Sequence, residues 1–254
     1  MDQDARHPVK TLEKTVTIVE TLQEMGAAPL REIASELDMN KSTVHNHLST
    51  LREHGYVVKD EDNYELSLQF LTIGGVLRDD IELLEAARSK VDDLAAETGE
   101  LVTLATVERG IGVVLYRAPG EDAVDLDNHI GAQEPLHNSA LGKAILAHMP
   151  TERVEEIIAE RGLPGETPNT ITDPETLKAE LETIADRGWA YDDEERWRGL
   201  RCVGAPICTD DGDVKGAVSI SVPRSRMATE EDRMAYGDAV KNTANLIELN
   251  FIYS

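Results

Sequence analysis

Residues 30–68 read LREIASELDMNKSTVHNHLSTLREHGYVVKDEDNYELSL, and the spacing of apolar residues in this stretch decides the N-terminal fold. Leu30, Ile33, Ala34 and Leu37 fall on one face of a short helix, and Val44, Leu48 and Leu51 on one face of the next. Asp38-Met39-Asn40 is a tight connection, with Asn40 placed to cap the second of these helices and Gly55 to end it. Two strand-like runs follow, Tyr56–Lys59 and Tyr64–Leu68, joined across the turn-prone Asp60-Glu61-Asp62-Asn63. Upstream, Leu12, Val16, Val19, Leu22 and Met25 predict a helix over 9–25, broken at Gly26-Ala27-Ala28-Pro29. Three helices and a hairpin form the order of a winged helix-turn-helix, whose third helix enters a major groove while the wing reaches along the backbone.

Downstream, Gly74-Gly75 marks a joint within 73–76. Ile81, Leu84, Ala87, Val91 and Leu94 then predict one long helix from Leu77 to about Ala96, a natural spacer. Leu101–Val107 and Gly112–Arg117 read as a hairpin around Glu108-Arg109-Gly110, and Leu200–Cys208 with Val214–Val222 as another across Asp210–Asp213. Helices are expected over Asn138–His148, Glu152–Arg161, Asp173–Arg187 and about Glu230–Asn250. Strand pairs separated by helices predict an α+β domain on an antiparallel sheet. The expected division is a DNA-binding domain at 1–75, a linker helix at 76–98 and a larger domain at 99–254.

No apolar run approaches the roughly 18 residues of a membrane span, and Met1–Pro8 lacks the apolar core of a signal peptide. With Cys202 and Cys208 as its two cysteines, the chain offers no disulfide framework, and a cytoplasmic, reducing location is expected. Charge is the unusual property. Asp and Glu number 49 against 25 Lys and Arg, a net charge of −24, which argues against a partner made of phosphates. A surface suited to high internal salt is a second reading: the acids are scattered, Phe and Trp number two each, and molar salt screens carboxylate repulsion beyond about 3 Å. That reading predicts a halophilic host.

With Val44, Leu48 and Leu51 turned inward, Ser42, Thr43, His45, Asn46 and Ser49 are left toward the groove. Arg31, Lys41, Arg52 and Lys59 are placed to meet phosphates. Residues 1–75 hold 13 acidic and 7 basic residues, a net −6, but from Asp38 to Lys59 the acids are two, Asp38 and Glu53, against the three bases Lys41, Arg52 and Lys59.

Several motifs resemble the IclR family of transcriptional regulators. They are Leu30–Leu37, Asn40–Val44 and Leu51–Tyr56 in the N-terminal part, then Pro135–Ala147, Thr167–Thr172, Asp192–Glu195, Gly199–Cys202 and Ala205-Pro206. The resemblance runs from about Val9 to the C-terminus. It implies a GAF-like α/β effector-binding domain behind the winged helix, assembly into homodimers or homotetramers, a palindromic operator, and control of carbon-source catabolism, with sugar, pentose or sugar-acid pathways foremost. It implies a pocket for a small, often anionic metabolite, with a carboxylate at the amides of Ala140 and Leu141 and a lining from Asp192, Leu200, Cys202, Ser219 and Ser221. Many relatives carry an arginine at the position of Asn46; arginine suits guanine or phosphate, asparagine the adenine edge.

Other readings stay open. An enzyme would need a base and an oxyanion site beside Cys202, and no motif supplies them; no cofactor is expected. A zinc site is not expected either: His129, His137 and His148 are not grouped, and on one strand Cys202 and Cys208 would lie about 20 Å apart. Asp192–Glu195 also reads as a solvated acidic patch. A metabolite-sensing module acting through protein partners remains the alternative to DNA binding.

Overall fold

The computed structural model describes residues 7–126 and 128–253, the side chains of 251–253 excepted, and divides into two compact units at Leu77/Arg78. In the first, helix α1 (Lys10–Met25), the short strand β1 (Ala28–Pro29), and helices α2 (Leu30–Glu36) and α3 (Lys41–Glu53) precede the hairpin β2 (Val57–Asp60) and β3 (Asn63–Leu66). Ile18, Leu22, Ile33, Ala34, Val44, Leu48 and Val57 form its core, so the apolar spacings read for α2 and α3 are the packed ones; on α1 the packed residues are Ile18 and Leu22, while Leu12, Val16 and Met25 of the expected face stay exposed. Asn40 caps α3, its Oδ1 accepting from the Ser42 amide at 2.9 Å. The sequence offered no sign of β1. It pairs with β3, Ala28 opposite Tyr64 and Pro29 opposite Asn63, and as an edge strand it tolerates a proline.

Helix α4 (Gln69–Asp79) runs through Gly74-Gly75, where a joint was expected, and buries no side chain. The chain breaks instead at Asp80-Ile81, so the single helix expected from Leu77 to Ala96 is two. Ile81 takes an extended conformation (φ −83°, ψ 106°) and packs its side chain on the core of the second unit, and α5 (Glu82–Thr98) starts from it. Helix α5 is part of that core rather than a free spacer: Leu83, Leu84, Ala87, Val91 and Leu94 are buried.

The second unit continues with β4 (Leu101–Glu108), β5 (Ile111–Pro119), β6 (Gln133–Glu134), α6 (Ala140–Leu146), α7 (Thr151–Arg161), α8 (Pro174–Arg187), β7 (Ala190–Asp193), β8 (Leu200–Cys208), β9 (Val214–Pro223) and α9 (Glu230–Tyr253). The six strands form one antiparallel sheet in the order β6-β5-β4-β9-β8-β7. Alternation assigns its faces. Val102, Leu104, Val203, Ala205, Val218 and Ile220 pack with α5 and α9, whereas Ala105, Ala190, Leu200, Cys202 and Ala217 pack with α6, α7 and α8.

Helix α6 approaches the sheet closely because residue 204 lacks a side chain. A Cβ on Gly204 would stand 2.8 Å from the Ala140 carbonyl carbon and 2.9 Å from the Leu141 amide, both backbone atoms. Gly204→Val is therefore expected to push α6 off β8 and cost about 1–3 kcal/mol, read as a lower midpoint in thermal or urea melts.

Candidate DNA-reading face and effector pocket

Helix α3 turns a polar surface to solvent. Lys41, Ser42, His45, Asn46 and Arg52 are exposed, as are Arg31 and Lys59, while Thr43 and Ser49 are half-buried. Among the described residues the side chains of His45 and Asn46 have no hydrogen-bond partner within the chain, whereas the Ser42 hydroxyl is drawn into the cap, donating to Asn40 Oδ1 at 3.0 Å. Lys59 lies 5.6 Å from the Tyr64 ring centroid and 3.9 Å from Asp62. The turn of the wing is acidic, with Asp60, Glu61 and Asp62 all exposed and Glu61 at a φ of +50°.

The seven residues expected to line the pocket are all buried. Antiparallel register explains how they gather. Asp192 lies opposite Cys202 and Cys202 opposite Ser221, while Ser219 lies opposite Gly204, beneath the start of α6. The Cys202 thiol donates to Ser221 Oγ at 3.4 Å. Ser139 caps α6 by accepting from the Gly142 amide at 3.1 Å, which leaves Ala140 and Leu141 as the first helical amides, without intrahelical acceptors.

Several site residues escaped the sequence reading. Lys143 is 1% exposed; its ammonium donates to the Tyr191 carbonyl at 2.6 Å and pairs with the Glu195 carboxylate. Glu195 is 5% exposed, and its amide donates to Asp192 Oδ1 at 2.7 Å. These contacts correct the reading of Asp192–Glu195 as a solvated patch, since the two outer members face inward. The Thr167–Thr172 motif finds its purpose here: Thr170 donates its hydroxyl to the Glu195 carbonyl at 2.6 Å, and Thr167 to that of Glu194 at 2.7 Å. Nearby, Arg196 Nη1 lies 3.1 Å from Glu134 Oε2, and Asn128 donates to Glu134 Oε1 at 2.6 Å. Glu195 Oε2 and both amide atoms of the fully buried Asn138 have no partner among the described residues.

Burial, reinforced by the negative charge of Glu195, pushes the Asp192 carboxyl up to about 7, against the pull of the Glu195 amide, Lys143 and Arg196. The folded chain thus keeps this proton to a higher pH than the unfolded chain. The stability linked to it is complete below about pH 4 and is lost as pH rises toward 7. Asp192→Asn is expected to flatten the melting temperature across that window relative to the parent protein, leaving the slope of Glu195, whose carboxyl is also raised by burial and is coupled to Asp192 in the parent. Burial lifts the Cys202 thiol well above its ordinary range as well, which disfavours a nucleophilic thiolate. Among the described residues no group of His, Cys, Asp and Glu is arranged to hold a metal ion.

A winged three-helix unit followed by a sheet that buries a row of polar side chains is the build of a ligand-responsive DNA-binding regulator. Residues 11–61 match the IclR helix-turn-helix domain, and residues 76–249 the bacterial transcriptional regulator IclR C-terminal domain. The chain belongs to the IclR family of transcriptional regulators. It is 36% identical to the "Probable HTH-type transcriptional regulator ArcR" of Halobacterium salinarum, over 92% of this chain and 90% of that one. It is 30% identical to the HTH-type transcriptional repressor AllR of Escherichia coli, over 94% and 89%. The crystal structure of the Thermotoga maritima IclR superposes with a TM-score of 0.78 at 31% identity, covering 95% of this chain and 98% of that one. An IclR homolog from Microbacterium hydrocarbonoxydans, crystallised with 4-hydroxybenzoate, has a TM-score of 0.81 at 23% identity, covering 96% and 100%. The fold is therefore a winged helix-turn-helix with a GAF-like α/β domain, and the chain is a DNA-binding regulator of transcription, not an enzyme. No helix among the described residues is long and apolar enough to cross a membrane.

Proposed function

We propose that this regulator binds a palindromic operator as a homodimer or homotetramer and controls a carbon-catabolic operon in response to a metabolite of sugar, pentose or sugar-acid metabolism, or another small carboxylate. In this reading residues 1–75 bind DNA, residues 76–98 connect, and residues 99–254 hold the effector. Ser42, Thr43, His45, Asn46 and Ser49 face the bases, with Arg31, Lys41, Arg52 and Lys59 toward phosphates. The effector sits at Ala140 and Leu141, against Asp192, Leu200, Cys202, Ser219 and Ser221. The observation that carries the effector reading is the buried polar row of Asp192, Cys202 and Ser221 across β7, β8 and β9, with Ser219 beneath the start of α6.

Self-association is supported by apolar side chains left in water. Leu12 and Val16 form a stripe on α1, 61% and 49% exposed, and Leu71, Val76 and Leu77 of α4 are 60% exposed or more. A cytoplasmic location in a salt-rich cell agrees with the net charge of −24. Chromatin immunoprecipitation with sequencing, with and without candidate sugars, tests the proposal. Sharp peaks upstream of a catabolic operon that respond to one sugar are expected; no enrichment under any carbon source would point to action through protein partners.

A further inference from the structure

An acidic chain that binds DNA needs an answer to phosphate repulsion. Lysine and arginine supply most phosphate contacts elsewhere, yet here the wing ends in three exposed carboxylates, Asp60, Glu61 and Asp62. Along one side of the reading face, and sharing Thr43 and Asn46 with it, lies an open trough of about 480 Å³ between α1 and α3. Thr11 and Thr15 line it from α1, and Thr43, His47 and Thr50 from α3, with His54 beyond the helix end. Asn46 borders it too, so the trough opens onto the face that carries the base-reading residues. No carboxylate lines it.

We propose that this trough seats one phosphodiester strand of the duplex, held by hydroxyl and imidazole groups in place of lysine and arginine. The proposal rests on the DNA-binding reading above and adds a site to it. Its donors are at hand. Among the described residues the hydroxyls of Thr11 and Thr43 and the ring of His54 have no hydrogen-bond partner within the chain. Thr15 Oγ1 lies 2.8 Å from His47 Nδ1. That hydroxyl also lies 3.0 Å from the Thr11 carbonyl and has one hydrogen for the two; when a phosphate oxygen accepts from Nε2–H, the hydrogen turns to Nδ1 and the Thr11 contact is given up. Such contacts bond a phosphate oxygen without neutralising it. They release no counterion on binding and lose little when salt is raised.

A phosphate contact is independent of base sequence, so the probe is a short random-sequence duplex, read by fluorescence anisotropy with the full-length protein over a salt series. Thr43→Val and His47→Leu are each expected to weaken binding about 3- to 10-fold, leaving the slope of log K against log salt unchanged. Thr43→Ser, which keeps the hydroxyl, is expected to bind like the parent. Lys41→Gln, by contrast, is expected to make the slope shallower by about 1. Folding of each variant is checked by circular dichroism, and a folded Thr43→Val or His47→Leu that binds with the parent's affinity overturns the proposal. A change in sedimentation with unchanged DNA affinity also overturns it, by assigning the trough to a protein contact. A parent protein that binds no duplex overturns the DNA-binding reading itself, an outcome distinct from both.

Discussion

Lys143→Met is expected to destabilise the C-terminal unit by about 3–5 kcal/mol, because it leaves the Glu195 carboxylate buried without its partner. The methionine replaces the lysine stem but not the two interactions of the ammonium, with the Tyr191 carbonyl and Glu195. Part of the loss is recovered if Glu195 takes up a proton, so the deficit should shrink in acid. The double variant Lys143→Met/Glu195→Leu removes both charges and is expected to be more stable than the single one, as apolar replacements of buried ion pairs often are. Urea melts of the three proteins at neutral and acidic pH measure both effects. Equal stability of Lys143→Met and its parent would show that the pair contributes no more than a surface contact.

The second large effect is expected in DNA recognition. Asn46 projects from α3 without a partner in the chain, and its amide has the geometry to donate to and accept from an adenine edge. Asn46→Ala is expected to cost about 1–3 kcal/mol at the operator, roughly 5- to 150-fold in affinity, with far less change toward random DNA. Asn46→Arg is expected to exchange adenine for guanine at the corresponding position. Selection of bound sequences from a randomised pool, run for each protein, reads both outcomes. An unchanged selected motif would remove Asn46 from base recognition.

Much of this architecture can be read from residue spacing. Val44, Leu48 and Leu51 orient α3 by themselves, since a helix with only those apolar residues has one way to face its core. The two hairpins of the larger unit were equally legible in alternation and turn chemistry. Strands β1 and β6 were not, because two residues carry no period. The misplaced joint has a different origin. Glycines reduce helix propensity without forbidding a helix, so Gly74-Gly75 stayed helical, while the break at Ile81 follows from burial of its side chain in the second unit. In the pocket, Asp192, Cys202 and Ser221 were reached through family resemblance, and the register that aligns them is visible only in the folded sheet. Lys143 and Glu195 are 52 residues apart and each alone reads as surface. One signal was available: Lys143 stands within Ala-Leu-Gly-Lys-Ala-Ile-Leu, where every neighbour is apolar and a charged residue has no wet side to occupy.

That last feature bears on how a regulator of this build is actuated. All seven residues of α6 are enclosed. A helix wetted on one side can fray or curl at an edge and absorb a local pull, but one gripped all round has no slack to take up. A pull at its first turn is therefore expected to move α6 as one body, and Lys143 ties that body to the Tyr191 carbonyl and, through Glu195, to the Thr167–Thr170 turn. The stiffness expected of this short segment comes from its enclosure rather than from its length.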